Sequence, residues 1–194
     1  VSSPYLEVVD AESIARRVTE LGQEIEADFA EKNPVLVGVL KGSIPFLSDL
    51  IRSITIPIEV DFLLLTRFGE RGRVSVAMDT AISLADRHVI LVEDIVDTGL
   101  TLTALRRNLE VRRLASLSTV ALLDKVPRRI VEVPIEYRGF EIGDEFLLGY
   151  GLDWQGRFRN LPSLWAVMDM ERLVDLAETF PETAFGGDDP ESVR

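Results

Sequence analysis

Between residues 35 and 124, short unbroken apolar runs alternate with stretches whose apolar residues recur every three or four positions. VLVGVL (35–40), IEVDFLLLT (58–66), HVILVE (88–93) and LSTVALLD (117–124) have the length and branched-chain content of buried strands. VSVAM (74–78) adds a further extended piece. Residues 10–31 read instead as an amphipathic helix, with Ile14, Val18, Leu21, Ile25 and Phe29 on one face, Asp10 able to cap it and Asn33-Pro34 to stop it. Pro45 opens a short helix running to about Arg52, and Leu102, Leu105 and Leu109 mark one face of a helix over Thr101–Arg113. Continuous apolar strands alternating with helices predict an α/β fold, a twisted parallel sheet flanked by helices on both faces. In such sheets ligands bind beyond the carboxyl ends of the strands, so the loops after Leu40, Val92 and Leu123 are where chemistry is expected.

Beyond Pro127 the pattern breaks into shorter pieces. EYRGFEI, EFLLGYG and LWAVMD suit either a small antiparallel appendage or further strands of the main sheet. MERLVDLAETF (170–180) reads as a last short helix, and PETAFGGDDPESVR (181–194) as a disordered acidic tail. With no internal repeat and no linker before that tail, residues 1–180 are expected to form one domain.

Composition narrows the function classes. The 194 residues are 46% hydrophobic and 28% charged, as in ordinary soluble globular proteins. No apolar run approaches the roughly 20 residues of a membrane span, and the N-terminus has no basic-then-apolar signal pattern, so a cytoplasmic protein is expected. With no cysteine and one histidine, His88, disulfides, thiolate zinc sites, a cysteine nucleophile and multi-histidine metal sites are excluded. A net charge of −12 argues against non-specific nucleic-acid binding. Basic residues cluster locally at 67–73, 106–113, 125–129 and 157–159, which leaves room for an anionic small molecule.

The densest candidate chemistry lies in VEDIVDTGLT (92–101). Thr98, Gly99 and Thr101 fall where a strand hands over to a helix, so amides and hydroxyls can converge on a phosphate monoester. Glu93 and Asp94 would repel that phosphate unless they face another part of the ligand, and neighbouring sugar hydroxyls, met directly or through a divalent metal, are natural partners. Asp97, on the turn, is placed to act as acid or base near the anomeric carbon. The spacing Asp94-x-x-Asp97 departs from the Asp-x-Asp of aspartyl-phosphate enzymes. Helix capping accounts for one such residue, not for five polar groups in nine positions.

VILVEDIVDTGLTL resembles the phosphoribosyl pyrophosphate motif of type I phosphoribosyltransferases, and its Glu-Asp-Ile-Val-Asp-Thr-Gly form is similar to the hypoxanthine(-guanine) branch. LKGSIPFLSDL resembles that branch's pyrophosphate loop, DK (124–125) its purine-contacting lysine, and FEIGDEFLLGYGLDWQGRFRNLP its base-binding and metal-binding segment, collinear across roughly residues 35–165. The resemblance implies the type I fold, with a small hood built from the N-terminal segment and parts of 136–180. It also implies transfer of a phosphoribosyl group to N9 of hypoxanthine, with guanine and xanthine left open, giving IMP (or GMP or XMP) and pyrophosphate in purine salvage.

By the same resemblance, Glu93 and Asp94 hold the ribose hydroxyls and Asp97 is the catalytic acid/base near purine N7. Asp97, Thr98, Gly99, Leu100 and Thr101 cradle the 5′-phosphate, while Lys41 and Gly42 bind pyrophosphate through a loop with a cis Leu40–Lys41 peptide. Lys125 donates to the purine's exocyclic oxygen, Phe146 stacks on the base and the Leu147 backbone meets its edge. Asp153 binds magnesium, with Glu93 and Asp94 as further candidate ligands, and Arg159 contacts pyrophosphate. The implied partners are phosphoribosyl pyrophosphate, a 6-oxopurine and the nucleotide product, with neither nucleic acid nor membrane, and the implied assembly is a homodimer or homotetramer.

One departure stands out. Where the family carries Ser-Tyr at the start of a long mobile loop, this chain has Arg67-Phe68 in TRFGERGR, and the loop is shorter. Arg67 is a candidate replacement for the lost hydroxyl donor. The change keeps two alternatives open: a phosphoribosyltransferase of altered base specificity, or a non-catalytic ligand sensor on the same fold.

Overall fold

The computed structural model describes residues 5–68 and 73–169, apart from the side chains of 67, 68, 73 and 74. The helix expected over 170–180, the tail 181–194 and residues 69–72 of the expected loop lie outside the described residues. Those described divide into two compact units, Ala15–Asp144 and a smaller one that combines the N-terminal segment through Ile14 with the chain from Glu145 onward.

The larger unit is built on a six-stranded sheet in the order β4-β3-β2-β5-β6-β7. Its strands are β2 (Val35–Leu40), β3 (Glu59–Phe68), β4 (Arg73–Met78), β5 (His88–Val96), β6 (Ser116–Asp124) and β7 (Tyr137–Glu141). Five strands are parallel, and β4 runs antiparallel along β3 at one edge. The sheet is therefore mostly, not wholly, parallel. Only residues 69–72 separate β3 from β4, too few for a crossover, so the chain has to return antiparallel. Arg67 and Phe68 belong to β3, paired with Val74 and Arg73, where an exposed loop was expected.

Side-chain alternation along the strands builds two apolar layers. Val35, Val37 and Val39 of β2 face the same way as Leu63, Val89, Leu91 and Ala121, and pack with Leu102, Leu105 and Leu109 of helix α3 (Leu100–Glu110). On the opposite face Gly38 leaves space for Leu47 of α2 (Ile44–Ser53); a Cβ there would stand 2.7 Å from the Leu47 side chain. Helix α1 (Ala11–Phe29) buries the expected stripe from Ile14 to Phe29. It approaches α2 closely at Gly22, where an added Cβ would overlap the Ser53 hydroxyl.

Strand β7 resolves one open alternative: EYRGFEI supplies a strand of the main sheet, parallel to β6. Arg17 of α1 donates from Nη2 to the Arg138 carbonyl (2.7 Å) and from Nε to the Gly139 carbonyl (3.3 Å), and its Nη1 meets Glu20 and Glu24 at 2.9 Å each. The segments EFLLGYG and LWAVMD take the other course. β8 (Phe146–Leu148) and β9 (Leu164–Val167) form an antiparallel sheet with β1 (Tyr5–Val9), in the order β1-β9-β8. Leu148, Phe158, Leu161 and Val167 make the small unit's core, bordered by Tyr5, Trp154 and Trp165.

Leu91 lies on the central strand and is fully buried. Leu91→Ala should cost about 2–5 kcal/mol, because the lost transfer energy adds to that of the cavity left behind. The expected result is a lower urea midpoint with an unchanged slope.

Candidate functional site

Strand β5 runs three residues past its expected end. β6 continues beside it to Asp124, giving Ile95 and Val96 ladder partners in Leu123 and Asp124. Asp97 and Thr98 then turn the chain, and Gly99, at φ +83° and ψ −12°, opens α3 one residue earlier than the sequence pattern suggested. Two constraints demand glycine at 99. Its φ is left-handed, and a Cβ would stand 2.8 Å from the Val131 carbonyl oxygen and 3.2 Å from an Arg129 guanidinium nitrogen.

The first intrahelical bond of α3 runs from the Thr103 N–H to the Gly99 carbonyl at 2.9 Å. The helix therefore offers no acceptor to the amides of Leu100, Thr101 and Leu102. Beside this turn lies a cavity of about 530 Å³ lined by Glu93, Asp94, Asp97, Thr98, Gly99 and Thr101, with Ile95, Val96, Leu102 and Arg128. Carboxylates and a helix N-terminus thus share one cavity, as the 92–101 pattern predicted.

Asp94 fits against the turn that opens α2. The Leu40–Lys41 peptide is cis, Lys41 is exposed and Gly42 is buried. A Cβ at Gly42 would overlap the Asp94 carboxylate, so only glycine lets the two loops meet as they do. Ser43 is fully buried and donates to the Val39 carbonyl at 2.7 Å, closing the same turn.

Glu93 is 6% exposed, and among the described residues no donor reaches its carboxylate. Burial, reinforced by the adjacent Asp94 charge, holds its carboxyl well above the usual range. Among the described residues no group of three or more His, Cys, Asp or Glu side chains could enclose a metal ion. The oxygens of Glu93 and Asp94 suit a hard divalent cation that keeps water and phosphate oxygens as its other ligands.

The next part of the site comes from the segment after β6. Asp124, 1% exposed, accepts from Arg129 Nε (2.9 Å) and Nη2 (2.7 Å) on one oxygen and pairs with Arg138 Nε (2.9 Å) on the other. Lys125 is 7% exposed, not a surface charge, and its Nζ reaches the Asp144 carbonyl at 3.5 Å. A 3-10 turn over Val126–Arg128 follows, after which Ile130 and Val131 donate to the Thr98 carbonyl at 3.0 and 3.3 Å. Arg128 reaches back across this turn, its Nε 2.6 Å from Asp97 Oδ1.

In the smaller unit, Phe146 is exposed on β8 while Leu147 is buried. Gly149, Tyr150, Gly151, Gln155, Gly156 and Phe158 all adopt positive φ, so the chain after β8 is a succession of tight turns. They set Asp153 against Arg159: the carboxylate accepts from Arg159 Nη2 at 2.6 Å and from the Gly156 N–H at 2.7 Å. Arg159 Nη1 also donates to the Gly151 carbonyl at 2.6 Å. Of the candidates at the chain departure, Arg67 and Phe68 are placed only as backbone of β3.

Sequence reasoning missed Asp124 and Arg128 as members of the site. The signal available was the basic cluster at 125–129; nothing in the spacing tells which arginine turns inward and which faces Asp97.

A mostly parallel sheet whose central strand ends in a carboxylate-lined cavity beside a helix N-terminus defines a protein of the α/β class. Comparison with known proteins agrees. The family of the phosphoribosyl transferase domain matches residues 4–155. The hypoxanthine-guanine phosphoribosyltransferase of Streptococcus pneumoniae is 41% identical over 159 residues, covering 80% of this chain and 88% of that one. The hypoxanthine phosphoribosyltransferase of Haemophilus influenzae is 42% identical over 161 residues, covering 79% and 90%. A crystal structure of a hypoxanthine-guanine phosphoribosyltransferase from Bacillus anthracis superposes with a TM-score of 0.81 at 38% identity, covering 84% of this chain and 98% of that one. The chain belongs to the phosphoribosyl transferase family, in its hypoxanthine(-guanine) branch.

Glu93 gives the site a pH signature. Its folded value lies above its unfolded one, so its contribution to stability is full below about pH 4.5 and is lost as pH rises through the raised value. Glu93→Gln removes that loss. Measured in chelator, without phosphoribosyl ligands, the variant's Tm advantage over wild type should grow from about pH 4.5 upward and vanish below it. Parallel Tm–pH curves would show that Glu93 is not held protonated by burial.

Proposed function

We propose that this protein transfers the 5-phosphoribosyl group of phosphoribosyl pyrophosphate to N9 of hypoxanthine, giving IMP and pyrophosphate in purine salvage. One observation carries the reading: a single cavity joins the Glu93 and Asp94 carboxylates, acceptors for a ribose diol, to the Gly99 turn, whose amides and hydroxyls suit a 5′-phosphate.

In the reaction the bond from the anomeric carbon to pyrophosphate breaks, positive charge builds on the ribose ring, and the purine nitrogen bonds to that carbon. Glu93 and Asp94 orient the diol, and the ionised carboxylate favours the developing charge. The Asp97–Thr101 turn anchors the phosphate. Asp97 takes the proton the purine gives up. Lys125, held almost fully buried, donates to the exocyclic oxygen of a 6-oxopurine and so rejects adenine, which presents a donor there.

Phe146 stacks on the base and the Leu147 backbone meets its edge. Lys41, the Gly42 amide and Arg159 bind pyrophosphate, with Arg67 as a further donor to it. Asp153 would be a magnesium ligand, with Glu93 and Asp94 as further candidates, and magnesium when bound supplies charge that neutralises the leaving pyrophosphate. The Asp153–Arg159 pair supports this division, since its two members carry the charges that complement a metal cation and a pyrophosphate anion. Family membership supports assembly as a homodimer or homotetramer in the cytoplasm.

The test is to incubate the protein with phosphoribosyl pyrophosphate, magnesium and each purine or pyrimidine base in turn. IMP formation from hypoxanthine, with adenine inert, is the expected outcome. No nucleotide from any base would defeat the reading, and turnover confined to another base would overturn the assignment to hypoxanthine. Asp97→Asn should lower kcat by about 10²–10⁴-fold at unchanged Tm; near-normal turnover would remove Asp97 from the acid/base role.

A further inference from the structure

Three acids and one cation share the ribose phosphate cavity. Glu93, Asp94 and Asp97 line it, and Arg128 is the one basic side chain among the described residues that do. Thr98, Gly99 and Thr101 offer only neutral donors to a dianionic phosphate that must settle among those carboxylates. Arg128 reaches Asp97 at 2.6 Å from a position set independently of any ligand. Its neighbour Arg129 is locked on the buried Asp124, and Ile130 and Val131 are bonded to the Thr98 carbonyl of the phosphate turn itself. The guanidinium thus stands beside the turn on a backbone hydrogen-bonded to it, while its side chain is 45% exposed.

We propose that Arg128 is a substrate-binding residue that exchanges its partner during the reaction, leaving Asp97 for the 5′-phosphate of the phosphoribosyl group. This rests on the phosphoribosyl-transfer reading given above. The exchange has a chemical logic in two parts. A phosphate presents oxygens for the bidentate, charge-assisted bonding that a guanidinium favours over the single Nε contact it makes with Asp97. Losing that contact also frees the Asp97 oxygen to accept a proton from the purine. Arrival of the phosphate therefore uncovers the base, so proton removal is tied to a correctly seated phosphoribosyl group. A nucleoside lacking the phosphate would leave Arg128 on Asp97.

The experiment compares IMP with inosine by calorimetry, in wild type, Arg128→Gln and Arg128→Lys. Removing a charge-assisted bond to the phosphate should weaken IMP binding by about 10- to 100-fold in Arg128→Gln, with Tm and inosine affinity unchanged. Arg128→Lys should recover part of the loss, since it keeps the charge but not the planar fork. Equal IMP affinities in wild type and Arg128→Gln overturn the proposal. So does a variant that loses turnover while the IMP-to-inosine affinity ratio stays at the wild-type value, because a guanidinium that only steadied Asp97 would behave in that way. Wild-type protein that binds neither IMP nor phosphoribosyl pyrophosphate overturns the phosphoribosyl-transfer reading and this one together.

Discussion

The larger unit's site depends on the chain reversing direction between β5 and α3 within three residues, through a glycine in a left-handed conformation. That reversal leaves the first amides of α3 without acceptors inside the helix and sets the helix N-terminus beside the cavity at the end of β5. It is not free-standing. The Thr98 carbonyl takes two hydrogen bonds from Ile130 and Val131, whose own position follows from Arg129 clamped on Asp124. A buried carboxylate on one strand therefore helps hold the turn at the end of its neighbour. Losing one partner of such a group strands the other without compensation, which makes the arrangement intolerant of partial change.

Electrostatics divides the acids of the cavity by their surroundings. Glu93 is buried beside another carboxylate, with no donor to it among the described residues, so ionising it is costly. Asp94 accepts from the Ile95 N–H and touches the Gly42 turn. Asp97 has Arg128. Three side chains within five positions thus meet three different conditions, and a ligand carrying both a diol and a phosphate can satisfy them differently.

Much of this was legible in the sequence because it rests on local pattern. The apolar run 35–40 coincides with β2, since a strand buried on both faces tolerates no polar interruption. The dense 92–101 motif located the cavity because its spacing encodes strand, turn and helix together. What escaped depends on partners distant in sequence. β5 outran its apolar run because β6 supplied further ladder bonds, so Asp94 could join the strand despite its charge. Arg67 and Phe68 entered β3 because β4 returned beside them. Tyr5–Val9 became a strand through pairing with β9, some 160 residues on, a contact no window of sequence contains. Lys125 stands out in the sequence by resemblance alone, and its burial and that of Asp124 come with the 3-10 turn and β7 that follow them.

The Arg17 guanidinium on β7 bears on a different property of the molecule. Strand β7 is the outermost of its sheet, and an outermost strand offers carbonyls on which a foreign strand can grow. Arg17 occupies the carbonyls of Arg138 and Gly139, and Glu20 and Glu24 steady it there. Among the described residues, a charged plug thus takes up two carbonyls of this edge strand. Such a plug is held partly by exposed ion pairs that salt weakens, so resistance to edge-on self-association through β7 becomes a property of the solvent as well as of the chain.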